Sequence, residues 1–339
     1  MRAAADPWRV LRIIVREAQK LDMSIKRRPL GKSGLSVAPL AFGGNVFGWT
    51  VEESTAFRLL DRFVDAGFNL IDTADTYSTW VPGHHGGESE TIIGRWLGSR
   101  GRRDEVLIAT KVGMEMAPEA KGLSRNHIEN SITGSLKRLG TRSVDLYQSH
   151  ADDLSVPIDE PLHTYARLLG EGKIRAIGAS NFSAERLSEA LRSSTEHGLP
   201  RYESMQPRYN LLDRDAYEGA LEKCCKSAGL GVITYSSLAS GFLSGKYRSK
   251  SDLTKSPRGA RMEARLTGRG PQVLAALDGV AERLDVARST VAIAWTVSRP
   301  GVTAAIASAT SVEQLDELME GANMRLDATS RSQLEAPTS

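Results

Sequence analysis

A closed (β/α)8 barrel (a TIM barrel, in which eight parallel strands each lead into a helix) is the fold that this 339-residue chain predicts. Three observations lead there. Short apolar runs bounded by turn residues alternate with amphipathic stretches of helical period, the pattern of parallel βα units. Eight such units follow one another in a length typical of one barrel domain. No phosphate fingerprint follows the first strand: Gly43-Gly44-Asn45-Val46-Phe47-Gly48 holds glycines without the G-x-G-x-x-G spacing. That weighs against the rival, an open doubly wound sheet.

In chain order, residues 25–37 carry a turn at Gly31-Lys32-Ser33-Gly34 and read as an N-terminal β-hairpin. Strand candidates follow at 38–42, 69–72, 106–110, 144–148, 176–179, 204–206, 232–235 and 303–307. Helix candidates lie near 51–66, 88–98, 125–138, 159–170, 183–192, 213–227, 288–299 and 311–322. Gly67, Gly140, Gly172 and Gly229 stand past helix ends, where a left-handed residue closes the last turn. Thr50, Ser124 and Ser183 stand at helix starts, where a side-chain oxygen caps free N–H groups. The longest interruption, 236–287, falls between the seventh and eighth barrel strands. It holds Gly241, Gly245, Gly259, Gly268 and Gly270, many basic residues and a further helix near 271–284. Long loops on the C-terminal rim of a barrel are where function collects. The barrel domain is read as 23–330, with an extension at 1–22 and a tail at 331–339.

Composition excludes several classes. At 40% hydrophobic and 25% charged residues the chain is neither disordered nor fibrous. Lys and Arg number 44 against 41 Asp and Glu, and they are scattered, so no nucleic-acid partner is expected. The two cysteines, Cys224 and Cys225, are adjacent and too few for a zinc site or a disulfide framework. A reducing, cytoplasmic location follows as the expectation. No apolar run approaches the roughly 20 residues that span a bilayer, so no membrane partner is expected. In residues 1–22 the apolar Val10, Leu11, Ile13, Ile14 and Val15 are interrupted by Arg12, which argues against a secretion signal. The segment reads as an extension of open role, a basic amphipathic helix being the other reading. His84-His85 reads as a polar loop rather than a metal site, since adjacent residues rarely ligate one ion.

Polar residues end three successive strands: Asp72 in Asn69-Leu70-Ile71-Asp72, Lys111 in Ile108-Ala109-Thr110-Lys111, and His150 in Tyr147-Gln148-Ser149-His150. Tyr77 lies five residues past Asp72. In a barrel these strand ends are neighbours, so the four side chains can converge. A phenol with a pKa of about 10 is a poor acid at neutral pH, and an ammonium beside it favours the phenolate. Lys111 supplies that charge in this reading, Asp72 holds Lys111, and His150 donates to a substrate oxygen that gains negative charge.

These residues resemble the aldo-keto reductases, NADPH-dependent (β/α)8 enzymes, over about Lys26 to Leu326. The branch it looks most like includes potassium-channel β subunits and sugar or pyridoxal reductases. The resemblance implies a catalytic tetrad of Asp72, Tyr77, Lys111 and His150, and an NADP(H) cofactor. It implies that Ser180-Asn181 and Gln206 hold the nicotinamide carboxamide, because Asn and Gln offer both donors and acceptors. Tyr235 would stack on the nicotinamide ring. Gly44-Asn45 would add contacts from the loop after the first strand. The run Ser236-Ser237-Leu238-Ala239-Ser240-Gly241-Phe242-Leu243-Ser244-Gly245-Lys246 resembles the family's pyrophosphate loop, with Ser236, Leu238, Ser240, Gly241 and Lys246 as contacts and Arg261 as a further cation. After the eighth strand Ser308, Thr310 and Gln314 would meet the adenosine end. The sequence departs from the family there, with Ser308-Ala309 for the usual Gly-Ala and Leu318 where an Asn is usual, and Thr310, at a position filled by Arg, Lys, Ser or Thr, would give a neutral grip on a 2′-phosphate. Ser311 and Gln314 also read as a capping box. Trp49 and Trp80, on the loops after the first two strands, are the candidate walls of the substrate pocket.

The expected activity is reduction of a small-molecule aldehyde or ketone with Tyr77 as general acid. The alternatives are a cofactor-loaded regulatory subunit on the same fold and a Schiff-base lyase using Lys111. Natural substrate and oligomeric state stay open.

Overall fold

The computed structural model describes residues 25–338, so the readings made for 1–22 lie outside the described residues. A short antiparallel hairpin comes first, β1 (Arg28–Pro29) against β2 (Ser36–Val37). Its turn needs glycine: Gly31 and Gly34 have φ of 57° and 76°. Eight parallel strands then close into a barrel: β3 (Leu40–Gly43), β4 (Leu70–Asp72), β5 (Leu107–Val112), β6 (Val144–Ser149), β7 (Ile174–Ser180), β8 (Ser204–Gln206), β9 (Gly231–Thr234) and β10 (Val302–Ala307). β10 pairs with both β9 and β3, which completes the ring. The strands read as near-continuous apolar runs because both faces are covered.

Two packed layers hold the ring. Inside it, Ala41, Leu70, Ala109, Leu146, Ala176, Ile233, Ala304 and Ile306 meet Leu30, Leu35 and Val37 of the hairpin. The hairpin therefore plugs the floor of the barrel. It is fastened there by Lys32 N–H donating to Glu203 at 2.8 Å. Outside the ring, the strands' other faces pack on the helices. These are α1 (Glu53–Asp65), α2 (Glu88–Arg100), α3 (Arg125–Leu139), α4 (Asp159–Gly170), α5 (Ala184–His197), α6 (Ala220–Ala228), α7 (Arg269–Leu284), α8 (Arg288–Ser298), α9 (Val312–Asn323) and α10 (Ala328–Glu335). None of the helices among the described residues is long and apolar enough to cross a membrane.

Four local expectations change. Thr50 does not cap α1, whose N-cap is Glu52. Ser124 is the N-cap of α3 but makes no side-chain bond there, whereas Ser183 accepts from Arg186 N–H at 3.2 Å. The helix expected over 213–227 begins only at Ala220, because Asn210 Oδ1 accepts from the amides of Leu212 and Asp213 and bends the chain into a turn. The chain also stays helical beyond residue 330: α10 buries Leu334, and Glu335 accepts from Trp295 and Arg299. The helix ends agree better with expectation. Gly140 and Gly229 are left-handed C-caps, and Gly67 and Gly172 follow one residue past theirs.

After β9 the long rim loop holds three 3-10 turns, Ala239–Ser244, Lys250–Lys255 and Gly259–Leu266, before α7.

Candidate active site

The barrel brings the four strand-end residues together at its C-terminal rim. Asp72 is the last residue of β4, Lys111 lies near the end of β5, and His150 follows β6. Lys111 Nζ donates to Asp72 Oδ2 at 2.6 Å, to the Thr73 carbonyl at 2.7 Å and to Tyr77 OH at 2.9 Å. The Tyr77 hydroxyl is also 3.4 Å from Asp72 Oδ2, and the Tyr77 ring stands edge-on to His150 with centroids 6.1 Å apart. Asp72 Oδ1 accepts from Gln206 at 2.9 Å and Gln148 at 3.2 Å. Asp72 and Lys111 are buried, at 1% and 0% exposure, yet each polar atom is met. That satisfaction is what makes a buried pair tolerable.

The charge states follow from this packing. Burial pushes the Tyr77 phenol up to about 12, with Lys111 pulling it down and Asp72 pushing it further up. The expectation that Lys111 brings the phenol below its ordinary value is thus corrected: desolvation of the phenolate outweighs the ammonium. Burial works against charge on Lys111 as well, but Asp72 and Tyr77 overcome it and raise its pKa. Burial, with Lys111 adding to it, pulls His150 well below the usual histidine value, so the imidazole is neutral at pH 7. The resting site thus sets a protonated phenol and a neutral imidazole beside the Lys111 ammonium.

Beside the tetrad, Asn181 donates to the His150 carbonyl at 2.8 Å and accepts from the Tyr235 hydroxyl at 2.8 Å. Ser180 Oγ donates to the Gln206 carbonyl at 2.9 Å. Ser180, Asn181, Gln206 and Tyr235 are therefore linked across β7, β8 and the end of β9. The Gln206 amide turns inward to Asp72 in this structure. On the other side of the mouth, Ser308 Oγ lies 2.6 Å from both Asn45 Oδ1 and the Gly43 carbonyl and bridges the loops after β10 and β3. Gly44 is buried, with no room for a Cβ beside Ser89 Oγ. Thr310 donates from both its amide and its hydroxyl to Gln314 Oε1 at 3.0 Å. Ser311 accepts from Gln314 N–H, so half of the capping box forms and the Gln314 side chain serves Thr310 instead. Leu318 turns into the core and leaves no polar group there.

The loop after β9 is unusual in backbone and charge. Ser236, Ala239 and Ser240 have φ of 56°, 49° and 58°, a conformation that costs a non-glycine residue about 1–3 kcal/mol. Leu238 stands between them, partly buried. Lys246 lies over Gly241, where a Cβ would come within 3.2 Å of Lys246 Cε. Most cations of this loop are paired: Arg248 with Asp278, Lys250 with Glu263, Lys255 with Asp252, Arg265 with Asp213. Lys246, Arg258 and Arg261 have no carboxylate partner among the described residues. Arg261 is exposed, but Arg258, which the sequence reading passed over, is drawn in over the Trp49 ring at 4.9 Å. Its Nη2 is buried without a hydrogen-bond partner. Burial pulls its pKa below the usual guanidinium value, and nearby Arg261 adds to that. Cations without a carboxylate partner on a strained, glycine-opened loop are donors that could hold a phosphate-bearing cofactor.

Trp49 packs edge-on to Trp80 with centroids 5.7 Å apart, and Trp80 lies 6.1 Å from Tyr77. Arg258, Trp49, Trp80 and Tyr77 thus form one continuous wall. Trp80, 44% exposed, is its outer edge. His84 and His85 take no part. Among the described residues no group of His, Cys, Asp and Glu side chains is arranged to hold a metal ion.

Comparison with known proteins agrees with the barrel fold. Residues 39–337 match the model of the aldo/keto reductase family. An uncharacterized oxidoreductase, YrpG, of Bacillus subtilis is 34% identical over 307 residues, covering 88% of this chain and 91% of its own. A putative voltage-gated potassium channel subunit beta of Schizosaccharomyces pombe is 33% identical over 86% of each chain. A probable subunit of the same kind from Oryza sativa subsp. japonica is 34% identical over 86% of this chain and 89% of its own.

Proposed function

The chain belongs to the aldo/keto reductase family of oxidoreductases, and from that premise we propose that it reduces an aldehyde or ketone to an alcohol with NADPH. The observation that carries the reading is the buried contact of Lys111 with Asp72 and Tyr77. NADPH, held when bound by the residues named below, would supply a hydride to the carbonyl carbon. Neutral His150 donates an N–H to the carbonyl oxygen and orients it. Tyr77 is held protonated at neutral pH, the form a general acid needs. Its proton passes to the oxygen as charge develops there, and Lys111, 2.9 Å away, stabilises the phenolate left behind. Solvent then returns the proton to Tyr77.

Ser180, Asn181 and Gln206 would hold the carboxamide, Gln206 releasing Asp72 to do so, and Tyr235 would offer its ring face. Ser236, Leu238, Ser240, Gly241 and Lys246 would cradle the pyrophosphate. Arg258 and Arg261, with Ser308 and Thr310, would meet the 2′-phosphate and favour NADPH over NADH. Two free cysteines support a cytoplasmic location.

Steady-state turnover of p-nitrobenzaldehyde or methylglyoxal with NADPH tests the proposal. NADPH binding with a single slow oxidation and no turnover would favour the second reading, a cofactor-loaded regulatory subunit. Similarity to the named channel β subunits supports that reading. A Schiff-base lyase is disfavoured because the Lys111 ammonium is fully buried and donates to three acceptors, with no lone pair free for attack. Borohydride trapping of a Lys111 adduct would reverse that judgement.

A further inference from the structure

Three residues past Asp72 the chain buries a second carboxyl group that the reaction above does not use. Asp75 is 1% exposed and neither side-chain oxygen has a hydrogen-bond partner. The Thr76 amide is the backbone donor beside it and completes no ordinary bond. Asp75 N–H donates to the Lys111 carbonyl at 3.3 Å, so the residue is fastened to the strand that carries the ammonium. The neighbouring loop seals it in: a Cβ at Gly86 would stand 2.7 Å from the Asp75 carbonyl.

The charged and titratable groups facing Asp75 come from every element around it: Glu90 on α2, Arg138 on α3, Lys111 on β5, Tyr147 on β6 and Tyr165 on α4. Glu90 is fully buried and accepts from Arg138 Nε at 2.7 Å and Thr110 Oγ1 at 2.5 Å. The Tyr147 hydroxyl is buried without a partner. Two buried carboxyl groups thus face one guanidinium, and Glu90 holds it. An ionised Asp75 would be a desolvated charge without a hydrogen bond, which is strongly unfavourable. Burial first, then Glu90, hold its carboxyl up at about 7.

We infer that Asp75 is a positioning residue for the reduction: protonated, it leaves Lys111 to Asp72 and Tyr77, and its ionisation adds a second anion within electrostatic reach of the ammonium that weakens Tyr77 as an acid. The inference rests on the reductase reading of the tetrad. A nearby negative charge favours the ammonium and opposes the phenolate, so proton transfer from Tyr77 slows. Tyr77, His150 and Lys111 do not titrate near neutrality. Tyr77 lies at about 12, His150 well below its usual value, and Lys111 is raised.

The test is the pH dependence of kcat and of KM for NADPH, from about pH 6 to about pH 9, with p-nitrobenzaldehyde as probe. In the wild type kcat falls about threefold or more around neutrality while KM for NADPH stays level. In Asp75→Asn kcat stays on the acid-side plateau throughout. Glu90→Gln moves the fall to lower pH, because Glu90 helps to keep the proton on Asp75. Infrared spectroscopy gives a readout free of turnover: a protonated-carboxyl band disappears with the same midpoint in the wild type and is missing from Asp75→Asn. Turnover with coincident pH profiles in wild type and Asp75→Asn overturns the inference alone. Absence of turnover at every pH sinks the reductase reading and the inference with it. If Asp75→Asn does not fold, the wild type still decides, since a carboxyl band whose midpoint differs from that of kcat overturns the inference.

Discussion

The acid pocket at the ends of β4 to β6 and the loop after β9 share one rim and are built on opposite plans. In the pocket, the Asp72 and Lys111 charges are met from within the chain, by Gln148, Gln206, the Thr73 carbonyl and the Tyr77 hydroxyl. In the loop, Lys246, Arg258 and Arg261 face no carboxylate among the described residues, and three non-glycine residues hold left-handed backbone. The Asp72–Lys111 pair is satisfied as folded, while the buried His150 Nδ1 is left without a partner among the described residues, and burial sets the chemistry of both. The loop carries charge and strain that a phosphate-bearing ligand would offset. A site of the first kind fails by losing rate, and one of the second kind by losing affinity.

That contrast can be broken most sharply at Tyr77. Tyr77→Phe should lower reductase turnover on the order of 10²–10⁴-fold while NADPH affinity, read by fluorescence quenching, stays near wild type. Lys111→Met should do comparable damage and shift the pH profile, since the ammonium that offsets phenol burial is gone. Loss of cofactor affinity in either variant would show that the two regions are not separate.

On the loop side, Arg258→Met or Lys246→Met should weaken NADPH binding about tenfold, the worth of one charge-assisted contact. Thr310→Arg should widen the preference for NADPH over NADH several-fold, because a charged fork replaces a neutral hydroxyl. Dissociation constants for NADP⁺ and NAD⁺ decide both. Equal binding of the two cofactors by the wild type would move the 2′-phosphate away from this loop.

The smallest effect concerns stability next to the pocket. The folded-state pKa of Asp75, about 7, lies above its ordinary value of 3.8, so the native protein holds this proton more tightly than the unfolded chain. Its contribution is intact below the unfolded value and is lost as pH rises through the folded one. Asp75→Asn should therefore match wild-type thermal stability near pH 4. At pH 8 it should exceed the wild type by about 1 kcal/mol or more. A difference independent of pH would show that Asp75 is not the titrating group.

The pocket was more legible in the sequence than the loop, and the reason is geometric. Asp72, Lys111 and His150 each end a short apolar run, and a barrel forces such ends into one ring. Tyr77 follows from its short distance to Asp72. The loop has no such frame. Arg258 and Arg261 are three residues apart in a basic, glycine-rich stretch, and nothing local says that Arg258 is the one drawn over Trp49. Asp75 was invisible for another reason: its isolation depends on Glu90, Arg138 and Tyr147, which come from three distant elements. The direction of the Tyr77 shift was misread because sequence supplies the neighbouring ammonium but not the depth of burial. α10 was missed because Leu334 is the one large apolar residue in Ala328–Glu335, and its helix is held by Trp295 and Arg299 from α8 and just beyond it.

The hairpin plug has a consequence for traffic. With Leu30, Leu35 and Val37 filling the lower end of the ring, the barrel is a vessel with a single mouth. Trp80 stands exposed beside Tyr77, and a long cofactor lying from Tyr235 to Thr310 would line the mouth before any carbonyl compound arrives. For the proposed reaction such a vessel would impose a queue: the dinucleotide would enter first and depart last, and the small molecule would come and go over it. Product inhibition patterns would then show NADP⁺ competing with NADPH and the alcohol product not competing with it.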